Sequence, residues 1–128
     1  MSGVFDLAVV GAGIVGLAHA LAAARRGKRV VVLDGDAQAN GASIRNFGFV
    51  TVTGQQAGEC WARARRSRDI WAEVAPAAGI DVLHRGLTVL AERDEAVGVL
   101  EAFLRTEMGA ECNLMSAADA SQTLPVTP

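Results

Sequence analysis

The sequence predicts an α/β fold built on a strand–helix–strand (βαβ) unit near the amino end. Three observations lead to this prediction: an apolar run over residues 4–10, a helical pattern over 13–26, and a β-branched run over 29–33. Strands buried on both faces of a parallel sheet have such uninterrupted apolar composition. A strand, a tight turn, a helix and a second strand within about thirty residues form one right-handed crossover unit.

The helix predicted over residues 13–26 is rich in alanine and leucine, and its apolar residues share one face. Those residues are Leu17, Ala20, Leu21 and Ala24. Gly27 follows directly, and glycine is the residue type that most often ends a helix in a left-handed turn. We therefore expect a buried helix that ends at Gly27 and leads into the second strand.

A long loop is predicted after the second strand. Residues 34–54 are rich in Gly, Ala, Ser and Asn and show no long period, so we expect an extended loop with one helical turn. It is expected to end in a short strand near residues 49–52. Loops of this length inside compact domains tend to carry function.

Helices and short strands are predicted to alternate in the remaining chain. The expected helices span residues 56–75, 94–108 and 116–124, and the expected strands lie at 87–91 and within 109–115.

Turn and cap residues mark the ends of two of these helices. Pro76 and Gly79 are expected to close the first one. The third has Ser116 followed three positions later by Asp119, the spacing of a helix cap.

Composition and charge exclude several function classes. The chain has 128 residues, of which 51% are hydrophobic and 20% are charged, and its net charge of −2 gives no reason to expect nucleic acid or an anionic membrane as partner. The apolar amino end carries Asp6 and three glycines and lacks a basic leader, so a soluble, cytoplasmic protein is expected. Cys60 and Cys112 lie outside any metal-ligand spacing, and no metal site is predicted.

The turn between the first strand and the helix has the spacing of a dinucleotide site. Its first glycine allows the tight turn, its second lets a pyrophosphate approach, and its third lets helix and strand pack closely. The N–H groups and dipole at the helix start favour the phosphates. A Rossmann-like cofactor site is therefore predicted at Gly11-Ala12-Gly13-Ile14-Val15-Gly16.

An acidic residue at the end of the second strand complements the glycines. Asp34 follows Gly11 by about twenty positions, the spacing at which a carboxylate binds the ribose hydroxyls. Asp36 is a rival, but Gly35 already interrupts the strand, so we prefer Asp34. A carboxylate here disfavours NADP because it repels the 2′-phosphate. The βαβ unit alone leaves NAD and FAD open.

The loop after the second strand resembles one family of flavoproteins. "GASIRNFGFV", residues 41–50, together with the βαβ unit is similar to FAD-dependent oxidoreductases of the D-amino acid oxidase type, which include glycine oxidase and sarcosine oxidase. Residues 84–120 also look like the entry to that family's substrate domain. The resemblance implies FAD as cofactor. It implies that Ser43 contacts the pyrophosphate or the flavin, that Arg45 pairs with a phosphate or an anionic substrate, and that Asn46 contacts the flavin ring. The alternatives left open are a turn or cap serine, a surface arginine, and an asparagine that satisfies loop backbone.

The family resemblance also implies a reaction and a division of the chain. The expected reaction is hydride transfer from an amine or amino acid to the flavin, which gives an imine that water hydrolyses. Residues 1–80 are expected to form the FAD-binding segment and 81–128 the start of an incomplete substrate-binding domain. No catalytic side chain is predicted within the chain, since the family's catalytic residues are expected beyond residue 128.

Several finer expectations remain open at this stage. "ASIRNFGFVTVTGQ" with "WARARRSRDIW" looks most like a bacterial subgroup proposed to act on aminophosphonates. The expected partners are a small amine substrate and either the remainder of the chain or a second copy. The alternatives are an NAD-dependent dehydrogenase unit and a truncated chain without activity.

Overall fold

A parallel βαβ unit forms the amino-terminal part of the computed structural model, which describes residues 3–123. Strand β1 (Leu7–Val10) is followed by helix α1 (Ile14–Ala24) and strand β2 (Val30–Leu33). The two strands pair in parallel, first residue with first and last residue with last. The predicted α/β fold and the order of its first three elements are confirmed.

Helix α1 ends in the turn that the sequence predicts at Gly27. The N–H of Gly27 donates to the carbonyl of Ala24 at 2.9 Å, and the N–H of Lys28 donates to Ala23 at 3.2 Å. Gly27 has a φ of 73°, a left-handed conformation that side-chain-bearing residues rarely adopt. This turn returns the chain to the start of β2.

Backbone and side-chain contacts join the starts of the two strands. The N–H of Asp6 donates to the carbonyl of Arg29 at 2.8 Å, and the N–H of Arg29 donates to the Asp6 carboxylate at 2.8 Å. The guanidinium of Arg29 lies 3.6 Å from the same carboxylate, and both side chains are substantially exposed. The exposed ion pair adds little stability, so the backbone bonds hold this end of the sheet.

Helices make up the regular structure of the rest of the described chain. They are α2 (Glu59–Ala77), α3 (Asp94–Leu104), a short 3₁₀ turn (Glu107–Gly109) and α4 (Ala117–Thr123). The chain divides between Phe49 and Val50 into two compact units. A division by function at residue 80 stays a prediction.

The strands predicted at residues 49–52, 87–91 and within 109–115 do not form within the described chain. An extended segment becomes a strand only when its N–H and C=O groups pair with a neighbouring strand. Residues 3–123 supply such a partner only for β1 and β2. The composition of these segments was therefore a wrong prediction of sheet.

Pro76 does not close α2, contrary to prediction. It lies inside the last turn, and the helix continues to Ala77. Gly79 does end the helix: its φ is 67°, its N–H donates to the carbonyl of Pro76, and the N–H of Ile80 donates to Ala75. Proline removes one helical donor, and here the helix continues only one residue beyond it.

Helices α3 and α4 match prediction in part. Helix α3 ends at Leu104 rather than at residue 108, because the chain tightens into the 3₁₀ turn. The Ser116 hydroxyl accepts a hydrogen bond from the N–H of Asp119 at 3.2 Å and donates one to its carboxylate at 2.7 Å. The predicted cap is thus confirmed, while Leu124 lies outside the described residues.

The arginines of α2 contact a carboxylate beyond the 3₁₀ turn. Arg65 and Arg68 lie 3.3 and 3.4 Å from Glu111, and Arg68 lies 3.0 Å from Asp69. The hydrogen bond with Asp69 is the main reason why the pKa of Arg68 is raised. All four side chains are partly exposed, so these ion pairs add little to the stability of the fold.

Apolar side chains of the βαβ unit are more exposed than predicted. Leu17 and Leu21 on α1 are 48% and 37% exposed, and Leu33 at the end of β2 is 53% exposed. The buried apolar side chains of the described residues are Ala75 and Ala120. A two-stranded sheet with one helix has a second face that this helix cannot cover. None of the described helices is long and apolar enough to cross a membrane.

The start of α1 approaches the end of β1 closely at Gly16. A Cβ atom placed on Gly16 would collide with the carbonyl oxygen of Gly11 and would lie 3.3 Å from a methyl carbon of Val9. This close approach is the role predicted for the third glycine of the motif.

Replacing Gly16 by alanine is expected to destabilise the βαβ unit. Gly16→Ala should lower the free energy of unfolding by about 1–3 kcal/mol, because the added carbon overpacks the contact with Gly11. Gly98, inside α3, is the matched control, since a Cβ there meets nothing within 4 Å. Gly98→Ala should raise the stability by about 1 kcal/mol through helix propensity. Thermal and denaturant unfolding measure the stability of both variants. A change of stability in the same direction for Gly16→Ala and Gly98→Ala would contradict the close approach of Gly16 to Gly11.

Candidate cofactor site

The turn between β1 and α1 is shaped by two glycine conformations. Gly11 has a φ of 99°, and its N–H donates to the carbonyl of Leu33 at 2.7 Å, which extends the pairing with β2 one residue beyond the end of β1. Gly13 is extended and caps the helix, and its carbonyl accepts the N–H of Leu17 at 2.9 Å. The first glycine therefore makes the turn, and the second presents bare backbone at the helix start.

Unpartnered N–H groups collect at this helix start. Among residues 3–123, no acceptor meets the N–H groups of Gly13, Val15 and Gly16. A helix leaves its first N–H groups without internal partners, and its dipole places partial positive charge there. These donors, together with the missing side chain of Gly13, fit a pyrophosphate.

Asp34 binds back to the glycine turn through its carboxylate. One carboxylate oxygen accepts the N–H of Ala12 at 2.5 Å and the other accepts the N–H of Asp36 at 2.9 Å. The bond from Ala12 is the main reason why the pKa of Asp34 is lowered. Of the two rival carboxylates, Asp34 is the one that reaches the turn.

The Asp34 carboxylate keeps capacity for a ligand. Each carboxylate oxygen can accept two hydrogen bonds, and each accepts one from the backbone here. An exposed, ionised carboxylate at this place suits the two hydroxyls of a ribose, as the sequence predicted. Binding of ribose by Asp34 stays a prediction.

Ser43 reaches the same helix start from the long loop. Its hydroxyl oxygen accepts the N–H of Ile14 at 2.9 Å, and a Cβ on Gly13 would lie 3.1 Å from that oxygen. A hydroxyl that accepts one hydrogen bond still has its own hydrogen to donate. Ser43 therefore stands beside the free N–H groups with a donor available for an anion.

Asn46 uses its side-chain amide within its own loop. The amide nitrogen donates to the carbonyls of Ser43 at 2.9 Å and Ala42 at 3.2 Å, and the amide oxygen accepts the N–H of Gly48 at 2.8 Å. The sequence left open whether Asn46 contacts the flavin or satisfies loop backbone. The structure shows the loop contacts, and a contact with flavin stays a prediction.

Arg45 lies between these two residues and is exposed. Its backbone N–H donates to the carbonyl of Ala42 at 3.2 Å, which forms the predicted helical turn. In the described part of the chain its guanidinium makes no hydrogen bond and no ion pair. It is therefore a cation available to a phosphate or to an anionic substrate.

Sequence reasoning missed an aromatic pair in the same loop. Phe47 and Phe49 stack with ring centroids 5.9 Å apart. The signal was visible as two phenylalanines on either side of Gly48 in an otherwise polar loop. Only the structure shows that the two rings contact each other.

Comparison with known proteins identifies one family. The family model described as DAO, FAD dependent oxidoreductase, matches residues 6–128. Searches of curated proteins and of solved structures found no match for this chain. The matched range includes the whole site described above.

The contact between Asp34 and Ala12 predicts a pH-dependent effect of removing the charge. Asp34→Asn should lower the thermal midpoint at pH 7, because an amide offers one acceptor atom to two N–H groups. The native carboxyl has a lowered pKa, so its contribution is fully present above its ordinary value of 3.8 and is lost as pH falls through the lower native value. The difference in thermal midpoint between the unmodified chain and Asp34→Asn should therefore shrink in that acidic range.

Asp36→Asn is the matched control for this experiment. Asp36 contributes its backbone N–H to the contact, and this donor survives the substitution. We expect a thermal midpoint close to that of the unmodified chain. Equal effects of the two substitutions, or a difference that persists in acid, would contradict the assigned role of the Asp34 carboxylate.

Proposed function

The chain belongs to the DAO family of FAD-dependent oxidoreductases, and we propose that it acts on an amine or amino acid. FAD is the cofactor of this family. When bound, it would supply the acceptor for a hydride from the substrate carbon next to nitrogen. The observation that supports a site for it in this chain is the set of free N–H groups at the start of α1, flanked by Asp34 and Ser43.

The residues have separate proposed tasks toward FAD. The free N–H groups of residues 13, 15 and 16 would hold the pyrophosphate, and the Ser43 hydroxyl would donate to it. Asp34 would accept the hydroxyls of the adenosine ribose. Each task uses a donor or acceptor that the fold leaves available.

Charge around the site suits this arrangement. Asp34 is ionised at neutral pH, and its two backbone partners disperse that charge. The phosphates would lie on the side of the helix start, where the partial charge is positive. A 2′-phosphate on the ribose would instead face the carboxylate, and this disfavours NADP.

A phosphonate-bearing amine is the substrate class that we propose. Residues 42–55, "ASIRNFGFVTVTGQ", resemble the subgroup proposed to act on aminophosphonates. Arg45 supports this class, because its exposed guanidinium has no carboxylate partner in the described residues and matches the geometry of a phosphonate. Its loop is held next to the cofactor site by Ser43.

Blocking Gly13 should abolish cofactor retention. Gly13→Val places a branched side chain against the Ser43 hydroxyl at the helix start, so the purified protein should lose the flavin absorbance at about 450 nm. Gly41→Val is the control in the same unit, because a Cβ there meets nothing within 4 Å. Flavin retained by Gly13→Val, or lost equally from both variants, would contradict the proposed site.

Arg45 offers a test of the substrate class. We expect an aminophosphonate to reduce the flavin-loaded protein under anaerobic conditions, seen as bleaching of the visible band. Arg45→Gln should raise the concentration for half-maximal reduction at least about tenfold, the size of a lost charge-assisted hydrogen bond. Arg45→Lys should have an intermediate effect, since it keeps the charge but loses the paired donors.

The same variants separate the two roles of Arg45. If Arg45→Gln instead weakens FAD binding and leaves substrate dependence unchanged, the arginine contacts the pyrophosphate. Reduction by a neutral amine with no preference for the phosphonate would contradict the proposed substrate class while leaving the flavin site intact.

A further inference from the structure

An Asn-Gly dipeptide lies in the long loop shortly before Ser43. Asn40 and Gly41 are both exposed, and neither belongs to a helix or a strand. Among residues 3–123, no hydrogen-bond partner meets the Asn40 side chain or the Gly41 N–H. The side-chain amide of Asn40 and the nitrogen that follows it are therefore both free of bonds that would hold them in place.

These two groups can react with each other without an enzyme. The Gly41 nitrogen attacks the side-chain carbonyl carbon of Asn40, the bond from that carbon to the NH₂ group breaks, and ammonia leaves with the proton that the Gly41 nitrogen has lost. The product is a five-membered succinimide within the main chain. Water then adds to one of its two carbonyl carbons, which gives aspartate or isoaspartate. Water is the only co-reactant, and nothing is oxidised or reduced.

Glycine at position 41 favours this attack. It carries no Cβ that would shield the nitrogen, and it allows the backbone to rotate into conformations that other residues avoid. A Cβ placed on Gly41 would meet nothing within 4 Å, so the neighbouring chain does not restrict the space around this residue. Two groups on the same chain react far faster than separate molecules once they can reach the required geometry.

A related dipeptide, Asp34-Gly35, lies earlier in the same loop and is protected by the structure. The Asp34 carboxylate accepts the N–H groups of Ala12 and Asp36. The bond from Ala12 is the main reason why the pKa of this carboxyl is lowered, and an ionised carboxylate offers no leaving group to an attacking nitrogen. Of the two dipeptides, the later one is therefore the one whose reacting groups are free.

The other two asparagines of the chain serve as internal references. The side-chain amide of Asn46 donates to two loop carbonyls and accepts one loop N–H, and Phe47 follows it with a bulky side chain. Asn113 is followed by Leu114, whose side chain shields the nitrogen. Neither asparagine combines a free amide with a following glycine.

We propose that Asn40 is a site of spontaneous deamidation, which places a new carboxylate beside the cofactor site. The modification does not depend on the proposed function, whereas its effect on the cofactor rests on it. The turn that carries Ser43 begins at Gly41, whose carbonyl accepts the N–H of Ile44 at 3.2 Å. Both products add a negative charge directly before this turn, and isoaspartate also adds a methylene to the main chain there.

The new charge lies close enough to repel a pyrophosphate. Even a fully extended chain spans at most about 11 Å between the Cα atoms of Asn40 and Ser43. Repulsion over this distance persists at low ionic strength, where the Debye length is about 30 Å, and is largely screened at physiological salt, where it is about 8 Å. We therefore expect weaker pyrophosphate binding, with a loss that shrinks as salt is added.

Incubation of the purified chain at mildly alkaline pH tests the modification. Peptide mass spectrometry should find the Asn40 amide converted to an acid while Asn46 and Asn113 keep their amides, and isoaspartate methyltransferase should label the same peptide. The rate should rise with pH, because the attacking nitrogen must lose its proton. Gly41→Ala should slow the conversion at least about tenfold, because its Cβ hinders the nitrogen and restricts the backbone.

Three results would overturn the modification. They are an Asn40 that stays intact, conversion of all three asparagines at one rate, and a rate that Gly41→Ala leaves unchanged.

Binding of ADP before and after conversion tests the effect on the cofactor site. ADP carries the pyrophosphate and lacks the flavin ring. The converted chain should bind ADP about threefold more weakly than the fresh chain at low ionic strength. Asn40→Asp adds the charge without the methylene and should show the same salt-dependent loss. Asn40→Gln is the matched neutral control, and its affinity should equal that of the fresh chain.

The binding results keep this inference distinct from the proposed function. If the converted chain binds ADP as tightly as the fresh chain, the effect on the cofactor site is wrong. If Asn40→Asp binds normally while the converted chain binds weakly, the added methylene acts and the electrostatic explanation is overturned. If no form of the chain binds ADP, the proposed cofactor site is wrong and the effect on it falls, while mass spectrometry still decides the modification.

Discussion

The close approach of α1 to the end of β1 is the constraint on which the site depends. Gly16 lies against the carbonyl of Gly11, where any side chain would collide, so the helix begins directly above the strand end. That placement puts the free N–H groups of the helix within reach of the end of β2, where Asp34 binds Ala12. It also puts Ile14 within reach of Ser43 on the long loop. Three separate chain segments therefore meet at one helix start.

The segments that meet at this helix start carry hydrogen-bonding groups rather than reactive side chains. The donors and acceptors at the site are backbone N–H groups, one carboxylate, one hydroxyl and one guanidinium. Asp34 is held in its ionised form by hydrogen bonds, which suits an acceptor for ribose and not a proton donor. Such a set is typical of proteins whose cofactor carries out the chemistry, because the protein then needs to hold the cofactor and orient the substrate.

Local signals predicted the parts of the fold that depend on a few adjacent residues. The glycine turn, the helix end at Gly27 and the cap at Ser116 follow from conformations that particular residue types favour. The missing strands and the exposure of Leu17 could not be predicted, because pairing and burial depend on distant partners. In the site, spacing alone indicated Asp34, while Ser43, Arg45 and Asn46 came from a family resemblance. The hydrogen bonds of Asn46 required coordinates, because a sequence does not show which way an amide points.

The two-stranded sheet has a consequence for the behaviour of the chain in solution. In the described part of the chain, β1 and β2 pair only with each other, so each strand has one edge with unpaired N–H and C=O groups. Such edges are templates for intermolecular pairing unless another segment covers them. Pairing within one molecule does not depend on concentration, whereas pairing between molecules does. Any pairing between the open edges of two copies would therefore grow with concentration, whereas the pairing of β1 with β2 would not.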